Sequence, residues 1–516
     1  MDAPCLMVEA TRLLGASREG ASIQPSRLTK RGRGSVRASH ETGHGQARPG
    51  ATVGTMPNDH TATSAGLMPL VFANARPLAW DVMRAALNAV DPAEAVRRVM
   101  HLDGERLIVG GHTYDLRKYH RILVVGAGKA SAPMARATEE ILSDRVTAGH
   151  VIVKIGYLDT TTRVTLHEAS HPVPDQAGID GTAHVVALLQ TATEDDLVIC
   201  LLSGGGSALM ILPEDGITLA DYRALTDALL RSGADITRIN TIRKHVERVK
   251  GGRLAEVASP ATVVSLVLSD VVGNPLDFIA SGPTVPDTTT YADALQVLTD
   301  FDLIGKVPTS IESRLRAGVA GELPETPKPG DPIFSHVRTV VIGSNEIAAA
   351  AAVDRAESLG FQTLHLTSFL EGEAREAARF VVAIAREIEG RGRPIAAPAM
   401  VICGGETTVT VRGNGRGGRN QELALAAGLS LGAVRNVLVA ALATDGSDGP
   451  TDAAGGFADA GSIDRMRAAG VDPRLALGAN DSYDALSRAG DLIVTGPTNT
   501  NVNDLTFAFI FPSSDA

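Results

Sequence analysis

The chain has 516 residues, 44% of them apolar and 21% charged, with a mean hydropathy of +0.07 and a net charge of −11. That length exceeds one small domain, and no apolar run reaches the roughly 18 residues of a spanning helix. An acidic balance with 3% aromatics and one Trp offers neither a basic surface nor stacking platforms for nucleic acid.

Residues 1–66 hold 8 Lys and Arg against 5 Asp and Glu, so this segment is net +3 and the remainder −14. It is rich in Gly, Ser, Thr, Arg and His and carries no periodicity, so residues 1–70 read as a disordered or mis-assigned extension; a start at Met56 or Met68 would remove most of it. Glu9, Glu19 and Glu41 count against a transit peptide. Cys5, Cys200 and Cys403 are odd in number and far apart, which suggests neither a disulfide framework nor a zinc knuckle and fits a reducing cytoplasm.

From Asn74 onward apolar runs alternate with helical patterns, the signature of a parallel sheet covered by helices. Expected strands are 122–125, 150–154, 197–202, 263–268, 339–342, 362–366, 400–403 and 437–442, continuously apolar because both faces are buried. The Pro-rich stretch 307–336 marks a boundary there or slightly before it, giving units at 71–315 and 316–516.

The first run ends in Gly126-Ala127-Gly128-Lys129-Ala130-Ser131. A dinucleotide fingerprint needs a third glycine where Ser131 stands, and an acid about twenty residues on, where Lys154 stands. A phosphate-binding P-loop needs glycine at Leu123. What remains is a lysine on a glycine turn at a helix start, suited to a carboxylate or phosphate. Ser203-Gly204-Gly205-Gly206-Ser207 ends the 197–202 run and can bring backbone amides to an oxyanion; it is not a Gly-x-Ser-x-Gly elbow. Arg243-Lys244-His245 and Lys250-Gly251-Gly252-Arg253 are explained as well by a solvated basic face as by binding. His171 and His245 read as structural.

Asp270 follows the 263–268 run, at the strand end where α/β proteins place ligand groups. Asp445, Asp448 and Asp452 follow the 437–442 run, and such carboxylates suit Mg²⁺ shared with substrate phosphates. A turn-forming role suits Asp448 better than Asp445. Arg412, Arg416 and Arg419 stand in a glycine-rich stretch, and Arg419, beside Asn420 and Gln421 at a helix start, is the strongest anion-binding candidate.

Together VGAGKAS, HPVPD, SGGGSAL, RKH with VKGGRLA, SDVVGNPLDFIASGPTVPD, CGGETTV, GRGGRNQE, ATDGSDGPTDAAG and GPTNTNVNDL resemble the glycerate 2-kinase family, the MOFRL-type enzymes also named hydroxypyruvate reductases. The resemblance runs from about Val71 to the C-terminus. It implies an α/β protein of two domains, an N-terminal Rossmann-like parallel sheet and a C-terminal α/β domain with the MOFRL region at about 398–510, and an active site in the cleft between them. The implied reaction transfers the γ-phosphoryl group of ATP to the 2-hydroxyl of D-glycerate with Mg²⁺. Lys129, Arg419 and Asp270 are the implied catalytic residues. Ser203, Gly204, Gly205, Ser207, Glu406, Asn420 and Asp445 would bind substrate, Gly126, Gly128, Gly205 and Gly206 the nucleotide, and Asp270 with Asp445 the metal. Asn499 stands where the family pattern suggests glycine. The partners expected are small molecules, without nucleic acid or membrane, and a homodimer is allowed. The rival reading is an NAD(P)H-linked hydroxypyruvate reductase, which the missing fingerprint glycine and ribose acid oppose.

Overall fold

The computed structural model describes residues 69–513, so the reading of the N-terminal extension lies outside the described residues. A short antiparallel sheet of β1 (Met100–Asp103), β2 (Arg106–Val109) and β3 (His112–Asp115) precedes the main body. The first large sheet contains β4 (Arg121–Ala127), β5 (Val146–Lys154), β6 (Val164–Ala169), β7 (Asp196–Leu202), β8 (Thr262–Leu268) and β9 (Val337–Gly343). Its order is β6-β5-β4-β7-β8-β9 and every pair is parallel. The chain runs from β4 outward to β6, then returns to β7 on the other side of β4. The crevice at such a reversal, beyond the strand C-termini, is where open α/β sheets bind ligands. The turns after β4 and β7 therefore share that position.

The second sheet is mixed. It comprises β10 (Gln362–Leu370), β11 (Ala399–Gly405), β12 (Val437–Ala443), β13 (Gly455–Ala458), β14 (Leu492–Ile493) and β15 (Asp504–Ile510), in the order β10-β11-β15-β12-β13-β14. All eight expected strands are present. β9 lies C-terminal to the expected boundary at 316 yet joins the first sheet beside β8, and the second sheet begins only at β10. β15 inserts antiparallel between β11 and β12, and its Leu505, Phe507 and Phe509 are fully buried. One apolar core runs from the helix Ala75–Ala89 through Val124 and Leu201 to Ile342, Ala352 and Phe509, and so joins the two sheets.

A helical lobe departs from the first sheet. Helices Leu219–Ser232, Ile236–His245, Tyr291–Asp300 and Thr309–Val319 pack around Tyr222, Leu229, Ile242, Leu298 and Ile311. Here the solvated basic face is corrected: Lys244, His245 and Lys250 are buried. Lys244 Nζ lies 3.3 Å from Asp287 and 3.4 Å from Asp277, and Lys250 Nζ lies 3.0 Å from Glu247 and donates to the Met210 carbonyl. Buried cations persist only with such partners. Cys200 and Cys403 are buried free thiols whose pKa values burial pushes up to about 12, which keeps them protonated. Among the described residues no helix is long and apolar enough to cross a membrane.

Candidate active site

The two glycine turns of the first sheet interlock. A Cβ on Gly126 would stand 2.0 Å from the Leu201 carbonyl oxygen, and one on Gly128 would stand 2.0 Å from Ser203 Oγ. Close approach of the two strand ends therefore requires glycine at both positions. Ser203 Oγ accepts from the Ala130 amide at 3.0 Å and lies 3.0 Å from Ser131 Oγ, so its hydroxyl serves the turn. The Lys129 amide donates to the Gly204 carbonyl at 2.9 Å, fixing the lysine's backbone against the second turn. Ser207 Oγ lies 2.7 Å from Ser281 Oγ, which donates to Asn240 Oδ1 at 3.0 Å. Gly206 packs against Ala127 and Ala280.

Three titratable side chains meet over this floor. Gly205 is in the left-handed region at φ +82, and a Cβ there would stand 3.0 Å from the His171 ring and 3.3 Å from Lys129 Cγ. A Cβ on Gly204 would fall 2.1 Å from Asp270 Oδ2, so the absence of a side chain there makes room for the carboxylate. Desolvation lowers the His171 pKa to about 3, with Lys129 and Lys154 adding to the effect, so the ring is neutral at pH 7. Desolvation raises Asp270 above the ordinary carboxylate range, and Lys129 opposes that shift. Lys129 Nζ has no carboxylate within ion-pair distance among the described residues. It is a cation held beside a desolvated acid and a neutral imidazole.

The second sheet supplies the facing wall. Arg419 opens the helix Arg419–Leu431 and grips Asp504 through Nε and Nη2, the latter at 3.0 Å, while Nη1 lies 3.0 Å from Glu406 Oε1. Asp448 accepts from the Asn420 and Gln421 amides at 3.1 and 2.8 Å and so caps this helix. Burial, then Asp504, raises its pKa to about 6. Asn420 Nδ2 also reaches Asp448 at 3.3 Å. The Asp445 carboxylate accepts from Ser447 of its own loop at 3.0 Å. The local turn is thus made by Asp445, and Asp448 has the longer-range role. Arg416 stacks on the Tyr483 ring at 4.2 Å, and the Arg412 amide donates to Asn480.

Asn503 joins the two walls. Its Nδ2 donates to the Asp270 carbonyl and to Glu406 Oε2, each at 2.8 Å, from a backbone at φ +65. Glu406 is raised above the ordinary range by burial first, with Asp504 and Asp270 adding and Arg419 opposing. The structure thus links Lys129, Asp270, Glu406 and Arg419 in one cleft. Asn503 and Asp504 went unnamed as site residues in the sequence reading; an Asn-Asp pair directly before an apolar run was the available signal. Asn503→Ala is expected to cost about 0.5–1.5 kcal/mol, the net worth of a hydrogen bond whose partners keep some access to water, and to lower kcat/KM as Glu406 loses its tether. Denaturant unfolding beside steady-state kinetics checks both.

With this geometry in place, the chain can be set beside known proteins. A family model described as a domain of unknown function (DUF4147) matches residues 78–316, and the MOFRL family model matches residues 399–504. The D-glycerate 2-kinase of Thermotoga maritima is 44% identical over 434 residues, covering 84% of this chain and 98% of that protein. A putative hydroxypyruvate reductase of Agrobacterium vitis is 45% identical over 429 residues, covering 82% of this chain and 95% of that protein. The crystal structure of glycerate kinase from Thermotoga maritima superposes with a TM-score of 0.77 at 42% identity, covering 85% of this chain and all of that one. The chain belongs to the glycerate 2-kinase family. The two family models leave residues 317–398 between them, the stretch in which the chain passes from β9 of the first sheet to β10 of the second. Glycerate 2-kinase membership makes the chain an enzyme, a kinase whose reaction uses a nucleotide.

Proposed function

We propose that this chain transfers the γ-phosphoryl group of ATP to the 2-hydroxyl of D-glycerate, giving 2-phosphoglycerate and ADP. The observation that carries the reading is a cation without an ionic partner, Lys129, set beside the desolvated carboxylate of Asp270 on a glycine floor. Phosphoryl transfer spreads charge over the equatorial oxygens of a loose transition state, and fixed cations and amides stabilise it. Asp270 takes the proton of the 2-hydroxyl as that oxygen attacks phosphorus, and the bond to the β–γ bridging oxygen breaks. Lys129 and Arg419 supply positive charge from opposite walls.

Arg419 already balances Glu406 and Asp504, so the Lys129 ammonium is the less compensated of the two. Among the described residues no group of three or more His, Cys, Asp or Glu could hold a metal ion by itself. Mg²⁺ binds through one or two carboxylates and takes its other ligands from substrate phosphates and water. Asp445, whose own turn uses only Oδ1, and Glu406 would hold it, which leaves the Asp270 carboxylate for the proton. When bound, Mg²⁺ neutralises phosphate charge.

Purified protein incubated with ATP, Mg²⁺ and D-glycerate is expected to give the ³¹P resonance of 2-phosphoglycerate, absent without metal. A 3-phosphoglycerate signal would overturn the regiochemistry. Absence of any phosphorylated product, with NADH oxidation at 340 nm on hydroxypyruvate, would return the reductase reading.

A further inference from the structure

A cavity of 360 Å³ opens between the loop after β8, the start of the helix after β9 and the end of β10. That volume falls within the range of small-molecule sites. Its wall includes Gly273, Asn274, Asn345, His365, Ser368 and Phe369. It adjoins the reacting cleft on two sides: Gly273 follows Asp270 by three residues, and the Leu370 carbonyl, next to Phe369, accepts from the Glu406 amide at 2.8 Å. β8 and β9 lie one and two strands beyond β7, at about 4.8 Å per strand. The cavity is thus about 10 Å to the side of the glycine turns, a separation that a triphosphate chain spans.

The local structure is shaped to present an aromatic ring. β10 is an edge strand whose pairing with β11 slips twice, between His365 and Thr367 and between Thr367 and Leu370. Bulges of this kind redirect side chains and are frequent beside active sites. The Phe369 amide is held by Thr367 Oγ1 at 2.9 Å, and His365 Nε2 lies 3.0 Å from Ser368 Oγ. Phe369 is 67% exposed, yet its ring is placed, because Gly273 lets it approach to where a Cβ would stand 2.9 Å from Cε1. Asn345 Nδ2 donates to the Val502 and Asp504 carbonyls at 3.0 and 2.9 Å, which fixes the amide and leaves Oδ1 buried without a partner. That oxygen is turned toward Gly404, where a Cβ would stand 1.6 Å from it, so Asn345 closes the inner wall of the cavity.

We propose that this cavity receives the base and ribose of the nucleotide, the base stacked on Phe369 and the phosphates running past Gly273 toward Lys129. The inference rests on the kinase reading. Calorimetric titration of the whole chain with ADP and Mg²⁺, and in parallel with inorganic tripolyphosphate and Mg²⁺, tests it. Phe369→Ala is expected to weaken ADP binding and raise KM for ATP by about tenfold, the scale of one lost base–aromatic stack. Tripolyphosphate binding and KM for D-glycerate should stay within twofold, and Phe369→Trp should restore ADP binding. Because Phe369 is exposed, neither variant should disturb folding. Unchanged ADP affinity in Phe369→Ala, with glycerate still phosphorylated, would overturn the pocket and leave the kinase standing. Equal loss for ADP and tripolyphosphate would also overturn it, since a base stack cannot affect a ligand without a base. A parental protein that neither binds ADP nor phosphorylates glycerate would remove the kinase reading and the pocket with it.

Discussion

Lys129→Ala is expected to lower kcat for glycerate phosphorylation by about 10²- to 10³-fold, the scale of losing one charge contact made in the transition state. The fold should survive. The side chain has no ionic partner to strand among the described residues, and a lysine at a helix start opposes the macrodipole, so its removal relieves a small unfavourable interaction. The neighbouring His171 is held neutral, with a pKa of about 3, and cannot supply the missing charge. Lys129→Arg should recover only part of the rate, because a planar fork on a longer stem does not reproduce a compact ammonium over Gly205. Arg419→Ala should be as damaging but less clean. It leaves the Asp504 carboxylate, only 7% exposed, without its bidentate partner, a loss of about 3–5 kcal/mol. Turnover of Lys129→Ala at saturating substrates, measured beside its thermal unfolding, checks the assignment; a near-parental rate in a folded variant would remove Lys129 from the reaction.

The parts of this molecule that could be read from the chain are those whose cause is local. β7 and β8 announce themselves because strands covered on both faces must be apolar throughout. Lys129 and Asp270 stood out because each follows such a strand, and in the structure they meet across Gly204 and Gly205. The rest depends on pairing at a distance. Lys244 and Lys250 read as a solvated face or a binding one because a sequence displays charges without their partners, and Asp287 lies 43 residues from Lys244. β15 is a short apolar run at the end of the chain, and nothing local says that it inserts between β11 and β12. That insertion brings Asn503 and Asp504 to the cleft. The site's two walls are therefore tied by residues whose importance is topological. The exchange of roles between Asp445 and Asp448 has the same origin, since only the approach of the helix Arg419–Leu431 makes Asp448 a cap.

Asp270→Asn carries the second large effect, an expected fall in kcat of about 10²- to 10⁴-fold for loss of a positioned base. Asparagine keeps the shape that Gly204 accommodates and the backbone carbonyl that Asn503 binds, so the change isolates proton acceptance from packing. The pH dependence gives the sharper test. Desolvation holds the Asp270 carboxyl above its usual range of about 4, and a base works only when deprotonated. Parental kcat/KM should therefore fall as pH falls through that raised value, at a higher pH than an ordinary aspartate would give. In Lys129→Ala the opposing positive charge is gone, the Asp270 pKa rises further, and the acid limb of the residual activity should move to still higher pH. In Asp270→Asn the limb should disappear from whatever activity remains. Glu406 is also raised, and it lies close enough for Asp270 to contribute to its shift, so the two carboxyls can be separated only by this comparison. A limb that persists unchanged in Asp270→Asn would remove Asp270 as the base and put the titration on another raised carboxyl of the facing wall, Glu406 or the capping Asp448 with its pKa of about 6. A limb that vanishes there and shifts in Lys129→Ala would tie base and cation to one event, the transfer of charge from the 2-hydroxyl to the departing nucleotide.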